Sequence, residues 1–107
     1  MAEVPYISEN EFPEKVLQSD LPVLLDFTAA WCGPCKMVTP LVEELAGEWE
    51  GKARVYKMDV DTNQQIPIQL GVMGIPALLL FVHGEVAARV TGFKPKKQLQ
   101  KAFEPHL

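Results

Sequence analysis

This chain of 107 residues lacks most features that would tie it to a membrane, a nucleic acid or a scaffold. No apolar run approaches the ~18 residues of a membrane span, and no repeat, linker or low-complexity tract occurs. A basic excess is missing too: 10 Lys and Arg against 14 Asp and Glu leave a net charge of −4. Nonspecific nucleic-acid binding calls for the opposite sign. The first residues, Met1-Ala2-Glu3-Val4-Pro5, have neither the basic nor the apolar part of a signal peptide, so a cytoplasmic address is the default expectation. Cysteine is scarce, with 2 residues in the chain. Where thiols are kept reduced, a close pair is more often catalytic, redox-sensing or metal-binding than a structural bridge. What remains is globular: 48% hydrophobic and 22% charged, of a length that suits one domain, 1–107, with a single core.

Both cysteines fall in Trp31-Cys32-Gly33-Pro34-Cys35-Lys36. Ahead of them runs Val23-Leu24-Leu25-Asp26-Phe27, and behind them opens a long amphipathic segment. Near-continuous apolar residues over 21–28 predict a central strand buried on both faces. From Cys35, apolar residues Met37, Val38, Leu41, Val42, Leu45, Ala46 and Trp49 make one helical stripe, which reads as core. Pro40 predicts a kink in that helix and Gly51 its end. A dithiol at such a strand–helix junction is placed for redox chemistry.

Elsewhere Ser8 and Glu11 are spaced as a capping box, but Pro13 conflicts with a continuous helix from Ser8, so the pattern predicts a helix over 11–18 with the earlier turn separate or distorted. Alternation over 53–60 predicts a second strand. Asp61-Thr62 reads as the cap of a short helix over 61–70, interrupted by Pro67 and ended by Gly71. A buried strand over 77–82, a turn at His83-Gly84-Glu85 and a strand over 86–90 form a hairpin, ended by Gly92. Pro95 suits the first turn of a last helix with Leu99 and Phe103 inward and Lys94, Lys96, Lys97 and Lys101 in solvent. The order predicts two β–α–β crossovers with parallel pairs, plus an antiparallel terminal strand, in a mixed sheet flanked by helices on both faces.

The chemistry sets roles for these residues. The attacking species in disulfide exchange is a thiolate, and a helix start offers Cys32 unpaired N–H groups and a positive dipole end that favour it. Cys35, three residues on, lies on the same helical face and would resolve the mixed disulfide. Gly33 gives backbone freedom, and Pro34 sits where a missing N–H is no loss. Asp26 is either a strand-edge carboxylate or a buried acid with raised pKa that accepts the Cys35 proton. Lys57 is either solvated or the partner of Asp26 on the neighbouring strand. A metal site would need about four ligands, and only His83 and His106 could join the thiols. A structural disulfide over so short a loop would stabilise little.

Together the hexapeptide, Asp26, Lys57, Gly74-Ile75-Pro76, Gly84 and Gly92 closely resemble the thioredoxin family over nearly the whole chain. The resemblance implies a three-layer α/β sandwich with a mixed central sheet. It implies a protein-disulfide reductase in which Cys32 attacks, Cys35 releases the product, and Asp26 and Lys57 assist. A cis Ile75-Pro76 bond should face the dithiol. Trp31, Gly33, Pro34, Val60, Gly74, Ile75, Pro76 and Gly92 would border a shallow apolar groove for an extended substrate, although ordinary packing is the plain alternative for Trp31. The redox-active disulfide would be the only redox group, with no bound cofactor or metal. Electrons would come from NADPH through a separate flavin enzyme, thioredoxin reductase. Partners would be disulfide-containing proteins, with no nucleic acid or membrane, and the chain a monomer. Thr28, Ala77 and Phe93 depart from the family pattern. An oxidant or isomerase, or a binding module with incidental thiols, are the competing functions.

Overall fold

The computed structural model describes residues 3–107. Four strands, β1 (Val23–Thr28), β2 (Arg54–Asp59), β3 (Ala77–Val82) and β4 (Glu85–Thr91), form one sheet in the order β2-β1-β3-β4. The uninterrupted apolar character of β1 fits its central place, since every one of its residues is buried. β2 pairs with β1 in parallel, and β3 pairs antiparallel with both β1 and β4.

One expected feature is therefore wrong: among the described residues the four strands make one parallel pair, not two. The physical reason is the length of α2 (Gln65–Gln69), the helix between β2 and β3. Five residues of helix rise about 7–8 Å, whereas a six-residue strand covers about 20 Å. α2 therefore does not itself carry the chain back to where β2 began, and β3 starts at the end where β2 and β1 finish and runs the other way. That brings residues 74–76 beside the cysteines that follow β1.

Alternation along the strands divides the core between two faces. Leu24, Val55, Leu78 and Leu80 pack with Val38, Val42 and Leu45 of α1 (Gly33–Glu48), with Trp49 at its C-cap, and with Leu99 and Phe103 of α3 (Lys96–Phe103). Val23, Leu25, Phe27, Met58, Leu79 and Phe81 pack on the other face with Ile7, Phe12, Val16 and the inner side of α2. The sheet is thus covered on both sides. Met37, expected in the buried stripe of α1, is 58% exposed and belongs to the surface. α1 continues through Pro40, which leaves the Lys36 carbonyl without its helical donor. Lys96 is not simply solvated either, because its ammonium ties α3 to Glu44 at 3.3 Å and to Glu48 of α1.

The helix expected over 11–18 is shorter than expected, and a separate turn precedes it, as the conflict at Pro13 predicts. Glu9–Glu11 is 3-10 and Pro13–Leu17 is π-helical, with the Gln18 N–H donating to the Pro13 carbonyl at 3.0 Å. Pro13 opens the second turn, where no N–H is required. Pro95 likewise precedes α3 as its flanking residue and lies outside the first turn. The α2 cap is also misplaced in the sequence reading. Neither Asp61 nor Thr62 caps it; the Glu9 carboxylate, 57 positions away, accepts from the Ile66 N–H at 2.5 Å. Asn63 locks the same junction, accepting from the Glu9 N–H at 2.9 Å and donating to the Asp59 carbonyl at 3.0 Å. Between β3 and β4, His83 and Gly84 both adopt positive φ (52° and 80°), the mirror-image turn that suits a two-residue hairpin.

Candidate active site

Cys32 is the N-cap residue of α1, with extended backbone (φ −89°, ψ 111°), and Cys35 occupies its first turn. The Cys35 N–H points at the Cys32 Sγ at 3.2 Å. The two residues form a disulfide with Cα atoms 5.3 Å apart. Both side chains are buried, yet Gly33 and Pro34 between them are exposed, so the bridge is reachable over its short loop. In the reduced state the same N–H would face a Cys32 thiolate. Orphan amides and the positive helix end stabilise charge there and nowhere else in the pair.

Asp26 sits at 1% exposure on β1, and neither of its carboxylate oxygens has a hydrogen-bond partner. It shares a face with Leu24, which packs against α1, so its carboxyl lies on the side of the sheet that carries the disulfide helix. Burial pushes its pKa up from 3.8 to about 7, and the positive charge of Lys57 opposes that rise. Lys57 is the register partner of Asp26 across the β1–β2 pair. No ion pair joins them among the described residues; the Lys57 ammonium sits 4.5 Å from the centre of the Tyr6 ring instead. The influence of Lys57 on Asp26 is therefore through space.

Opposite the disulfide, the Ile75–Pro76 peptide bond is cis, and the Ile75 carbonyl oxygen lies 3.9 Å from the Cys32 Sγ. A groove of about 340 Å³ runs outward from this point, lined by Trp31, Val60, Pro67, Val72, Met73, Gly74 and Ile75. Trp31, Val60, Gly74 and Ile75 are thus brought together in one groove. Trp31 is 68% exposed and held by its indole N–H, which donates to Asp61 at 2.9 Å. Gly33, Pro34, Pro76 and Gly92 do not line this cavity. The first two lie over the disulfide, Pro76 is buried, and the Gly92 N–H donates to the Pro76 carbonyl at 2.7 Å. Pro67, Val72 and Met73 escaped the sequence reading because the short helix over 61–70 was read only as structure. Gly71 was the available signal: a helix stop just before Gly74-Ile75-Pro76 leaves residues 72–73 outside the helix and at the groove. Among the described residues, no cluster of three or more His, Cys, Asp or Glu could hold a metal.

A disulfide at the N-cap of a helix that leaves a central strand, beside an apolar groove, defines a thiol–disulfide oxidoreductase. A family model described as Thioredoxin matches residues 3–104. The chain is 49% identical to a thioredoxin of Haemophilus influenzae and 43% identical to a thioredoxin 1 of a Nostoc species, in each case over 107 residues and the whole of both chains. It is also 50% identical to a thioredoxin of Staphylococcus saprophyticus over 84 residues, covering 78% of this chain and 81% of that one. The chain belongs to the thioredoxin family. Its activity is accordingly that of a protein-disulfide oxidoreductase working by dithiol–disulfide exchange, with the disulfide as its redox centre.

Proposed function

We propose that residues 1–107 act as a single domain whose reduced form reduces protein disulfides. The Cys32 thiolate attacks one sulfur of the substrate disulfide, and the other substrate sulfur leaves as a thiolate. Cys35, losing its proton to Asp26 directly or through a water, then attacks the Cys32 sulfur. That step frees the second substrate thiolate and leaves the Cys32–Cys35 disulfide, so two electrons pass from the dithiol to the substrate. The observation that carries the assignment is the asymmetry of the pair, in which the Cys35 N–H serves the Cys32 Sγ. Cys35 is also the more buried of the two, at 1% exposure against 4% for Cys32.

Asp26 suits the proton transfer because a carboxyl raised to about 7 is partly ionised near neutrality. Lys57 keeps it from rising further. Trp31, Val60, Gly74 and Ile75 form the wall against which an extended substrate lies, and the Ile75 backbone offers it hydrogen bonds; Gly33, Pro34, Pro76 and Gly92 border the approach. Electrons return from NADPH through a separate flavin enzyme, thioredoxin reductase, with no cofactor held by this chain. The reading includes a monomer in the cytoplasm.

The test is to measure turnover of a protein disulfide by the parent, Cys32→Ser and Cys35→Ser. Cys32→Ser is expected to fall to the uncatalysed background. Cys35→Ser is expected to accumulate a covalent mixed disulfide at Cys32, visible by mass. Turnover by Cys32→Ser, or a mixed disulfide formed on Cys35, overturns the assignment. A reduction potential near −270 mV, the general reference value for thioredoxin and not one derived from this geometry, marks a reductant; a value above about −200 mV marks an oxidant or isomerase.

A further inference from the structure

The groove wall at residues 72–75 contains no regular element, and its two ends are fastened to the same strand. At the far end the Gly92 N–H, just past β4, donates to the Pro76 carbonyl at 2.7 Å. At the near end α2 closes with a left-handed glycine: Gly71 has φ 70°, its N–H donates to Ile68 at 3.1 Å, and the Val72 N–H donates to Pro67 at 2.8 Å. Those two bonds satisfy the Pro67 and Ile68 carbonyls and leave those of Leu70 and Gly71 without a helical donor. The Arg89 guanidinium of β4 supplies them. It donates to the Leu70 carbonyl at 2.7 Å and to the Gly71 carbonyl at 3.4 Å. Arg89 pairs with Leu79 in the β3–β4 register, which turns its side chain to the face on which Leu79 packs, the face that α2 covers.

We propose that Arg89 is a positioning residue for the reduction of protein disulfides, clamping the α2 C-terminus to β4 and so holding the groove wall Val72-Met73-Gly74-Ile75 against the disulfide. The proposal rests on the reading of this groove as the substrate site. Arg89 touches neither sulfur nor substrate; it acts through the carbonyls of Leu70 and Gly71. A guanidinium fits the task because its fork reaches two acceptors at once and its charge lies at the negative end of a helix. Lysine offers one donor direction at a time to the same place. Arg89 is exposed on an edge strand, so removing it spares the core.

The consequence is a split between binding and chemistry. A substrate that lies along the wall needs the wall in place, whereas a small disulfide needs only the sulfur. Arg89→Ala is expected to raise KM for a protein disulfide such as insulin about fivefold with kcat little changed. The potential of the Cys32–Cys35 pair and the rate with a small aromatic disulfide should stay at the parent values. Arg89→Lys should recover part of the KM. Amide exchange at Val72 and Gly74, followed by NMR in the oxidised protein, should speed up in Arg89→Ala while the Phe27 and Leu79 amides hold. The proposal is overturned by an unchanged KM, by an equal loss on the small disulfide, or by unaltered exchange at Val72 and Gly74. Loss of turnover by the parent itself would sink the reading of the site; the exchange measurement would still decide whether Arg89 holds the loop.

Discussion

The two walls of the active site meet where the Cys32 sulfur lies 3.9 Å from the Ile75 carbonyl, and they are built by different means. The disulfide wall is local. Strand β1 ends, Cys32 caps the helix that follows, Cys35 sits three residues on, and its N–H serves the Cys32 sulfur. The opposite wall, residues 70–76, is placed from a distance. Glu9 caps α2, Asn63 ties its entry to Glu9, Arg89 holds its end, and Gly92 holds Pro76. Attack on a disulfide demands a fixed nucleophile, while partners of many shapes need a surface that can be varied. The contrast assigns the constant part to short-range geometry and the variable part to contacts that distant side chains can alter.

If the disulfide wall is part of the core, its charges should act on the whole fold. Asp26 is the sharpest case and the largest expected effect. Its pKa is 3.8 when exposed and about 7 when folded, so between those values the native chain holds a proton that the unfolded chain has released. A raised acid favours folding below the unfolded pKa, and that advantage is lost as pH rises through the folded one. At 1.36 kcal/mol per unit, stability should fall by about 4 kcal/mol from pH 4 to pH 7 and then level off. Asp26→Leu should flatten this slope and be the more stable chain at pH 8, read by denaturant melts across pH. A slope between pH 5 and 7 that survives in Asp26→Leu assigns the titration to another group.

The distant wall should answer differently. Glu9→Ala removes the acceptor of the Ile66 N–H and is expected to cost about 1–2 kcal/mol, most of it felt at α2. Amide exchange at residues 66–75 should accelerate more than at β1. Glu9→Gln keeps an acceptor oxygen and should restore most of the protection. Uniform acceleration across β1 and α2 would erase the distinction between a local and a remote wall.

The same division explains what the sequence could reveal. Cys32, Cys35, Asp26 and the helix after them were legible because each signal is a spacing within one element: a buried run, a helical stripe, an i, i+3 pair. The sense of β3 was not, because the order strand, helix, strand is the same whichever end of the sheet the next strand enters, and α2 is shorter than the expected helix reaching Leu70. The α2 cap was read at Asp61-Thr62 because the local pattern offers a cap there, whereas Glu9 lies 57 positions back and only the folded chain brings it near. The role of Met73 in the groove wall was lost for a related reason. At 99% exposure it has no burial pattern to betray it, and its position follows from the end of α2. The Asp26–Lys57 register was foreseen, but the ammonium went to the Tyr6 ring.

That last difference gives the smallest effect and joins the two kinds of placement. Lys57 shares a strand position with Asp26 but is fixed by the N-terminal segment, whose Ile7 N–H donates to the Lys57 carbonyl at 2.8 Å while Tyr6 lies beneath its ammonium. A field without a hydrogen bond shifts a buried acid less than burial does, and Lys57 accordingly opposes the desolvation of Asp26 without cancelling it. Lys57→Met should therefore move the Asp26 midpoint further up, read from its carboxyl carbon shift in NMR against pH. The stability lost to Asp26 ionisation should then extend to higher pH than in the parent, because the native chain keeps its proton longer. The proton transfer proposed from Cys35 to Asp26 should slow with it at neutral pH, since less of the carboxyl is ionised. A midpoint that stays put or falls would mean that Lys57, although in register, is screened from Asp26. The tuning of this acid would then belong to burial in β1 alone, and the disulfide wall would be local in its electrostatics as well as in its geometry.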